Sequence, residues 1–361
     1  MAILGFYWGG HYTWIAIGAF PAIAILDALL PLDQAERKMK SHFWAYLPVW
    51  MATLLLPVMY FVFAWSVGNN DLTGLQMAAG VMGLAWLSVV PGVPATHELY
   101  HSRGRLARFV GRYGQVAFLD CMRMEVHVVG HHRDVGTAED IDTAARGVNL
   151  YRFVARSVAE SVRWELRLTP ITSRSAVTVA TRFATRSGVH CWPSRYSRLC
   201  DLCAGWLDSR GVVLDLDGDC SLLGRGFQLL PAFRPGARGR RADREATRLE
   251  PLRTLSRLYA FEITNHADHH LNSYIPYYKL VPDREAIIMP SIIVCFLSGF
   301  VPSLWYNAII KPALKRWDNE YASPAERRLA REQNREAGWK DWFDDEDGRA
   351  KQPDAPSFAH G

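Results

Sequence analysis

Three long apolar runs fill most of the first 95 residues and constrain the fold more than any other feature of the chain. They are residues 13–30, 43–67 and 74–95. Each run is close to the roughly 20 apolar residues that a helix needs to cross the hydrocarbon core of a bilayer. A buried helix of a water-soluble protein would explain one such run, but three in succession favour membrane spans. The sequence therefore predicts an all-α fold, an integral membrane helical bundle.

The charges beside these runs predict their orientation. The loop after the first run carries three basic residues: Arg37, Lys38 and Lys40. The loop after the second run, residues 68–74, carries none. Loops rich in Lys and Arg remain in the cytoplasm, so residues 31–42 and the chain just after residue 95 are expected there. The net charge of +5 is modest and we find no recognition motif for nucleic acid, so no such partner is expected.

Histidines are the main candidates for a functional site. Eight of the 12 histidines fall into three groups, within HELYH, HVVGHH and HADHH: His97 and His101; His127, His131 and His132; His266, His269 and His270. Histidines three or four residues apart lie on one face of a helix, where they can share a metal ion. Imidazole is a suitable ligand for iron, zinc, copper and nickel. Eight histidines exceed the ligand set of one ion, so the sequence predicts two ions, with open positions where dioxygen would bind iron.

The first histidine group also matches a different pattern. HELYH fits the H-E-x-x-H motif of zinc proteases, in which both histidines bind zinc and the glutamate, here Glu98, is the base. A catalytic zinc ion needs only three protein ligands. A zinc metalloprotease therefore leaves the other two groups without an explanation and is the weaker hypothesis.

The order HxxxH, HxxxHH and HxxHH, placed after membrane-spanning runs, carries a resemblance. It is similar to the membrane-bound di-iron family of fatty acid desaturases and alkane hydroxylases, and within it to the hydroxylase subunit of xylene monooxygenase. The matching segments include THELYH, HHRDVGTAEDIDTA, EITNHADHH and MPSIIVCFLSGFVPSLW. The resemblance covers residues 4–167 and 253–340.

The resemblance implies a centre of two iron ions, bound by the eight histidines, on the cytoplasmic side of a bacterial inner membrane. It implies hydroxylation of a methyl group of an apolar xylene- or toluene-type aromatic, or of an alkane, with dioxygen. The electrons would come from NADH through a separate reductase of the ferredoxin type or with flavin and iron–sulfur groups. Glu98 and Asp268 lie inside the motifs and would orient imidazoles, or else be solvated polar residues. A fatty acid desaturase is the alternative activity.

Residues 168–252 depart from the family pattern, which has two further spans here, followed by a segment with another histidine ligand. Residues 171–250 contain thirteen Arg, no Lys and four of the six Cys. A GC-rich gene read one nucleotide out of phase gives such a composition, and residues 224–250 agree with an out-of-phase reading of a family-like segment. We therefore predict a frameshift, with the extra histidine falling across the codons of Ala232 and Phe233. The chain as written would then be an impaired or inactive membrane protein, poorly ordered over this segment.

The apolar run at residues 287–310 predicts a re-entrant or interfacial hairpin. The histidines before the run and the basic residues after it are both expected in the cytoplasm, so a single crossing does not fit. Pro302 lies within the run and would interrupt a helix there.

The last part of the chain is charged. Ser323 is the predicted N-cap of a helix, with Pro324 at its first position and Glu326 as the capping-box acid. A disordered tail is expected after this helix. The predicted regions are 1–167, with the transmembrane helices and two histidine groups; 168–252, the frameshifted segment; 253–318, with the third group and the hairpin; and 319–361, the soluble helix and tail.

Overall fold

The computed structural model describes residues 1–115, 120, 123–168 and 249–343. Within these residues the chain is helical, with one pair of parallel two-residue strands, Leu249–Glu250 and Ile287–Ile288. The α-helices of six residues or more are Ala2–Trp8, Trp14–Leu29, His42–Asn69, Gly74–Leu87, Val93–Tyr100, Arg105–Gly114, Leu150–Leu168, Thr254–Tyr259, His266–Leu271, Ile292–Gly299, Lys311–Glu320 and Pro324–Glu336. The predicted all-α class is confirmed.

Among the described residues, three helical segments are long and apolar enough to cross a membrane, in agreement with the three apolar runs. They are span 1, Gly10–Leu29; span 2, His42–Asn69; and span 3, Gly74–Tyr100. Spans 1 and 2 bury only 22% and 28% of their most apolar windows inside the protein, whereas span 3 buries 67%. Large apolar side chains such as Ile25 and Phe61 point outwards, 62% and 69% exposed. Such a surface suits hydrocarbon rather than water, so the chain is a membrane protein with span 3 innermost.

Span 3 packs closely against the other two spans through small residues. A Cβ atom at Gly83 would lie 2.5 Å from the Cβ of Ala16 in span 1, and one at Gly80 would lie 2.1 Å from the Phe63 ring in span 2. Small residues let membrane helices approach at this distance. Span 3 is kinked within Ser88–Gly92, where Val90 leaves the helical conformation ahead of Pro91, and it carries the first histidine group at its C-terminal end.

The C-terminal helices are attached to the chain that follows the second histidine group. Arg146 donates two hydrogen bonds of 2.7 Å to the Asp318 carboxylate, and both side chains are fully buried. Arg146 also donates to Asn334 at 2.9 Å, and the Trp342 indole donates to Asp318 at 3.0 Å. Charge-assisted bonds in this two-pronged geometry are strong and directional, so they fix the C-terminal helices against the segment near Arg146.

Pro302 separates two helical segments within the apolar run at 287–310, as predicted. One helix, Ile292–Gly299, ends before Pro302, and Pro302 begins the next helical segment. Neither half has the roughly 20 residues required to cross a bilayer. This supports the hairpin, whose position relative to the membrane remains a prediction.

The predicted capping box is confirmed. The Ser323 hydroxyl accepts the Glu326 N–H at 3.3 Å, and the Glu326 carboxylate accepts the Ser323 N–H at 2.8 Å. Pro324 occupies the first position of the helix Pro324–Glu336.

The frameshift prediction falls mainly on residues 169–248, which lie outside the described residues, as do Ala232 and Phe233 and the predicted tail beyond residue 343. The end of that predicted segment is described. Leu249 and Leu252 are 1% and 0% exposed, and the strand Leu249–Glu250 pairs in parallel with Ile287–Ile288. Residues 249–252, at the end of the predicted segment, are therefore folded and buried.

Candidate metal centre

The histidines lie on three short segments that meet at the C-terminal end of span 3. His97 and His101 are one helical turn apart at the end of that span. The second group lies on a wide helical turn, Val126–His131, that continues into His132. The third group lies on the helix His266–Leu271. Turns of this wide type are frequent at functional sites.

The structure brings all eight predicted histidines together and divides them into two groups. Within each group the candidate ligand atoms lie within 4.8 Å of one another. The five-histidine group contains His97, His101, His127, His132 and His269. The three-histidine group contains His131, His266 and His270. Seven of the eight side chains are buried and His132 is half-buried.

Each pair of adjacent histidines is split between the two groups. His131 belongs to the three-histidine group and His132 to the five-histidine group; His270 and His269 divide in the same way. Successive side chains on a helix diverge by about 100°, since a turn contains 3.6 residues. The two rings of a doublet therefore point in different directions, one into each histidine group.

The environment favours neutral imidazoles. Burial, together with the nearby His131, lowers the pKa of both His101 and His266 to about 3. Burial also lowers the pKa of His269 and His270 well below 6.5, and the neighbouring rings add to that effect. A neutral ring keeps a nitrogen lone pair available, which is the form that binds a metal ion.

The ring nitrogens are arranged as a metal ion requires. In the five-histidine group, the Nε2 atom of His132 lies 3.2 Å from that of His101 and 3.1 Å from that of His127. In the three-histidine group, the Nε2 atoms of His266 and His270 are 2.8 Å apart. The buried Nε2 atom of His269 has no hydrogen-bond partner among the described residues. A buried polar atom without a partner costs about 1–3 kcal/mol, so a metal ion in each group would satisfy nitrogens that otherwise face one another.

Asp140 is a residue of the candidate metal centre that the sequence reasoning missed. Its carboxylate lies 2.9 Å from His131 Nδ1, also accepts the Thr143 hydroxyl, and accepts the Asp142 N–H at 2.9 Å. Burial alone would lower the pKa of His131, but this carboxylate raises it above 6.5. A carboxylate on one ring nitrogen fixes the tautomer and leaves the other nitrogen for the metal. An acid eight or nine residues after a histidine gives no periodic signal, although Asp140 lies within the segment that carries the resemblance.

Asp142 has a related position beside the five-histidine group. Its carboxylate accepts two bonds from Arg123, at 3.0 and 3.1 Å, and its Oδ2 atom lies 3.8 Å from His127 Nδ1. Arg123 is 1% exposed, so this is a buried ion pair. It holds the chain on either side of the second histidine group together.

The two acids predicted to orient imidazoles have other partners. Glu98 accepts the Tyr46 hydroxyl and the Tyr277 N–H, the latter at 3.1 Å. Asp268 accepts the Val281 N–H at 2.9 Å. These contacts fix the ends of the first and third segments rather than a ring. They also engage the glutamate that the zinc-protease hypothesis requires as its base.

The comparisons with known proteins agree with this geometry. The chain is 33% identical over 362 residues to the xylene/toluene monooxygenase hydroxylase component XylM of Pseudomonas putida, covering 96% of this chain and 95% of that protein. It is 24% identical over 277 residues to the alkane 1-monooxygenase of Acinetobacter baylyi, covering 70% of this chain and 61% of that one. No family model matches the chain. Both relatives are monooxygenases, as the resemblance implied. The three spans, the paired histidine groups and the near full-length similarity show that the chain belongs to the family of membrane hydrocarbon monooxygenases that includes the xylene/toluene monooxygenase hydroxylase component.

Proposed function

We propose that the chain binds two iron ions and hydroxylates a methyl group of an apolar aromatic hydrocarbon of the xylene or toluene type. Dioxygen would be the co-substrate, and NADH would supply electrons through a separate reductase. The names of the two relatives support this choice, with xylene or toluene first and a medium-chain alkane second. The observation that carries the proposal is the division of the eight histidines into groups of five and three.

The chemistry of the substrate favours iron among the metals that imidazole binds. The C–H bond of a methyl group is not acidic enough for a general base to remove its proton. Iron with dioxygen supplies the oxidising power that this bond requires, while the protein supplies orientation and a dry pocket. The candidate site fits the requirement for a dry pocket, because seven of the eight histidines are buried.

The protein groups around the centre have two roles in this proposal. Asp140 keeps a proton at His131 Nδ1, so that Nε2 is free to bind metal. The spans provide an apolar route, because the exposed side chains of spans 1 and 2 face hydrocarbon and span 3 leads to His97 and His101. An apolar substrate concentrates in the bilayer and would enter from it.

We infer that the metal centre faces the cytoplasm of a bacterial inner membrane. The basic residues between spans 1 and 2 support this orientation. Those after span 3 do so as well, among them Arg103, Arg105 and Arg108. A reductase of the ferredoxin type, or one with flavin and iron–sulfur groups, would then reach the centre from the side where NADH is present.

The experiment begins with the gene, sequenced across codons 165–255. An insertion or deletion would support the frameshift, and an uninterrupted gene with a single frame would contradict it. Both the chain as written and a frame-corrected chain are then produced in membranes with a reductase and NADH. Each is supplied with xylene and with octane.

The frame-corrected chain is expected to hold two iron ions and to convert xylene to the benzylic alcohol faster than it converts octane. His131→Ala in the same background is the control and should lose activity and part of the iron. Zinc as the sole bound metal, with no alcohol from either hydrocarbon, would contradict the proposal. Full activity of the chain as written would contradict the predicted impairment but not the proposed reaction.

A further inference from the structure

We propose that Glu262 is a positioning residue for the third histidine segment. It acts through a clamp of two arginines and two carboxylates, Arg37, Arg257, Asp33 and Glu262, that joins this segment to the loop between spans 1 and 2. The proposal rests on the proposed two-metal function, because it concerns how ligands of that centre are held.

The Glu262 carboxylate is shared between two arginines. Arg257 Nε donates to Glu262 Oε2 at 2.6 Å, and Arg37 Nε donates to Glu262 Oε1 at 2.6 Å. Arg257 is fully buried and Glu262 is 3% exposed. Each carboxylate oxygen therefore has its own charged donor, the geometry in which such bonds are strongest.

Asp33 completes the clamp from the loop after span 1. Its carboxylate accepts Arg37 at 2.7 Å and Arg257 at 3.0 Å. Arg257 also donates to the backbone carbonyls of Asp33 and Ala35, the second at 2.9 Å. Two positive and two negative groups balance, as buried charges require, and the loss of one partner would leave a charge unpaired.

Glu262 passes this restraint to the histidines through Asn265. The Asn265 side-chain amide donates to Glu262 Oε2 at 3.1 Å, and the Asn265 N–H donates to the Glu262 carbonyl at 2.9 Å. Asn265 immediately precedes the helix His266–Leu271, and its carbonyl accepts the His269 N–H at 3.2 Å. The start of the histidine helix is therefore fixed to the clamp.

The backbone conformation supports a positioning role. Phe261 and Glu262 have φ angles of 46° and 55°, in the left-handed region that residues other than glycine rarely adopt. Such a conformation persists only where the surroundings impose it, and it occurs frequently at functional sites. Here it turns the chain from the helix Thr254–Tyr259 into the histidine helix.

The clamp is expected to affect metal binding by the three-histidine group more than by the five-histidine group. Two of the three ligands of the three-histidine group, His266 and His270, are on the helix that it fixes. The five-histidine group takes only His269 from that helix. A displaced helix would therefore weaken the three-histidine group first.

The test uses the full chain in detergent, with Co²⁺ as the probe for both groups. Cobalt bound per chain, its affinity and its visible absorption spectrum are measured for the wild type, Glu262→Gln and Arg37→Gln. Glu320→Gln is the matched control, because Glu320 pairs with Arg316 at 2.8 Å on the exposed surface. Thermal unfolding of every variant is recorded in parallel.

Glu262→Gln is expected to weaken one of two cobalt sites by about 10–100-fold, the range for groups that orient metal ligands, and to change the spectrum of the folded protein. Arg37→Gln leaves the Arg257–Glu262 pair in place and should fall near the lower end of that range. Glu320→Gln should match the wild type in both readouts.

Unchanged cobalt affinity and spectrum in folded Glu262→Gln, with only a lower melting temperature, would show a purely structural role and overturn the proposal. If Glu262→Gln does not fold, the proposal is tested with Arg37→Gln. Wild-type cobalt binding by Arg37→Gln would then overturn the proposal. A wild-type chain that binds no second cobalt would instead contradict the proposed two-metal function, on which this inference depends.

Discussion

The two histidine groups differ in how they are supported. The five-histidine group draws ligands from all three segments, and two of them, His97 and His101, are at the end of span 3. The three-histidine group has no ligand on a span. It takes His131 from the second segment and two ligands from the six-residue helix His266–Leu271. One group is thus built on the membrane bundle, and the other depends on the polypeptide packed against it.

The two groups would differ in how well each tolerates the loss of one ligand. A five-ligand group retains four nitrogens when one is lost, which is a complete set for many metal sites. A three-ligand group retains two. The three-histidine group also has two supporting carboxylates close to it. Asp140 contacts His131 directly, and Glu262 is linked to the start of the helix that carries His266.

Removing one ligand from each group should give the largest contrast. His270→Ala is expected to lose about half of the bound metal, because two nitrogens do not hold an ion tightly. His132→Ala is the matched change in the five-histidine group and should keep both ions with weaker binding of one. Metal analysis of the folded, full-length variants measures this. Equal losses in the two variants would break the distinction between the groups.

Asp140→Asn should have the next largest effect. It removes the charge that holds the proton at His131 Nδ1 and should weaken the metal of the three-histidine group by about 10–100-fold. Chelator competition against the wild type gives the affinity.

Asp142→Asn, two residues away, is the control for Asp140→Asn. Asp142 lies 3.8 Å from His127 and is bonded to Arg123, so its loss should lower stability while changing the three-histidine group little. A stronger effect of Asp142→Asn on that metal would reverse the assignment.

The pH dependence of stability tests how Glu250 supports the histidine helix. It accepts the N–H of Ala267, in that helix, at 3.1 Å and of Asp283 at 3.3 Å. Burial raises the pKa of Glu250 from 4.5 to about 8, although these two bonds oppose the rise. Between those pH values the folded state holds a proton that the unfolded chain has released, so stability falls as pH rises and levels off above the folded pKa.

Glu250→Gln should remove this contribution. Melting temperatures of the metal-free chain, measured from pH about 5 to about 9, should fall less steeply in the variant than in the wild type. Parallel curves for the two proteins would show that Glu250 does not titrate as its burial implies.

The smallest effect is expected far from both groups. Ser323→Ala removes the N-cap of the helix Pro324–Glu336 and should cost about 1 kcal/mol of stability. The number of bound metal ions should not change, since the helix supplies no ligand to either group. A loss of metal in this variant would mean that the C-terminal helices support the centre more directly than the contacts of Arg146 suggest.

Much of the local structure could be predicted from the sequence, because its signals are short-range. Apolar runs of sufficient length indicate the three spans, and histidines separated by three or four residues indicate the three segments that meet in the candidate metal centre. Pro302 and the Ser323 capping box marked a helix break and a helix start correctly. In each case the residues that determine the feature lie within one or two helical turns of one another.

How these segments combine depends on long-range packing. The division of eight histidines into five and three depends on how the ends of three separate segments are rotated against each other, which no spacing within a segment encodes. The partners of the acids also depend on the fold. Arg37 and Glu262 are 225 residues apart, and Glu98 and Tyr277 are 179 residues apart. Asp140 and His131 are only nine residues apart, but that separation follows no helical or strand period. Hydrogen bonds and ion pairs form between whichever groups the fold brings within about 3 Å. The sequence alone therefore indicates the candidate ligands and their helices, and the packing of those helices divides the candidates into two groups and supplies the contacts that hold them in place.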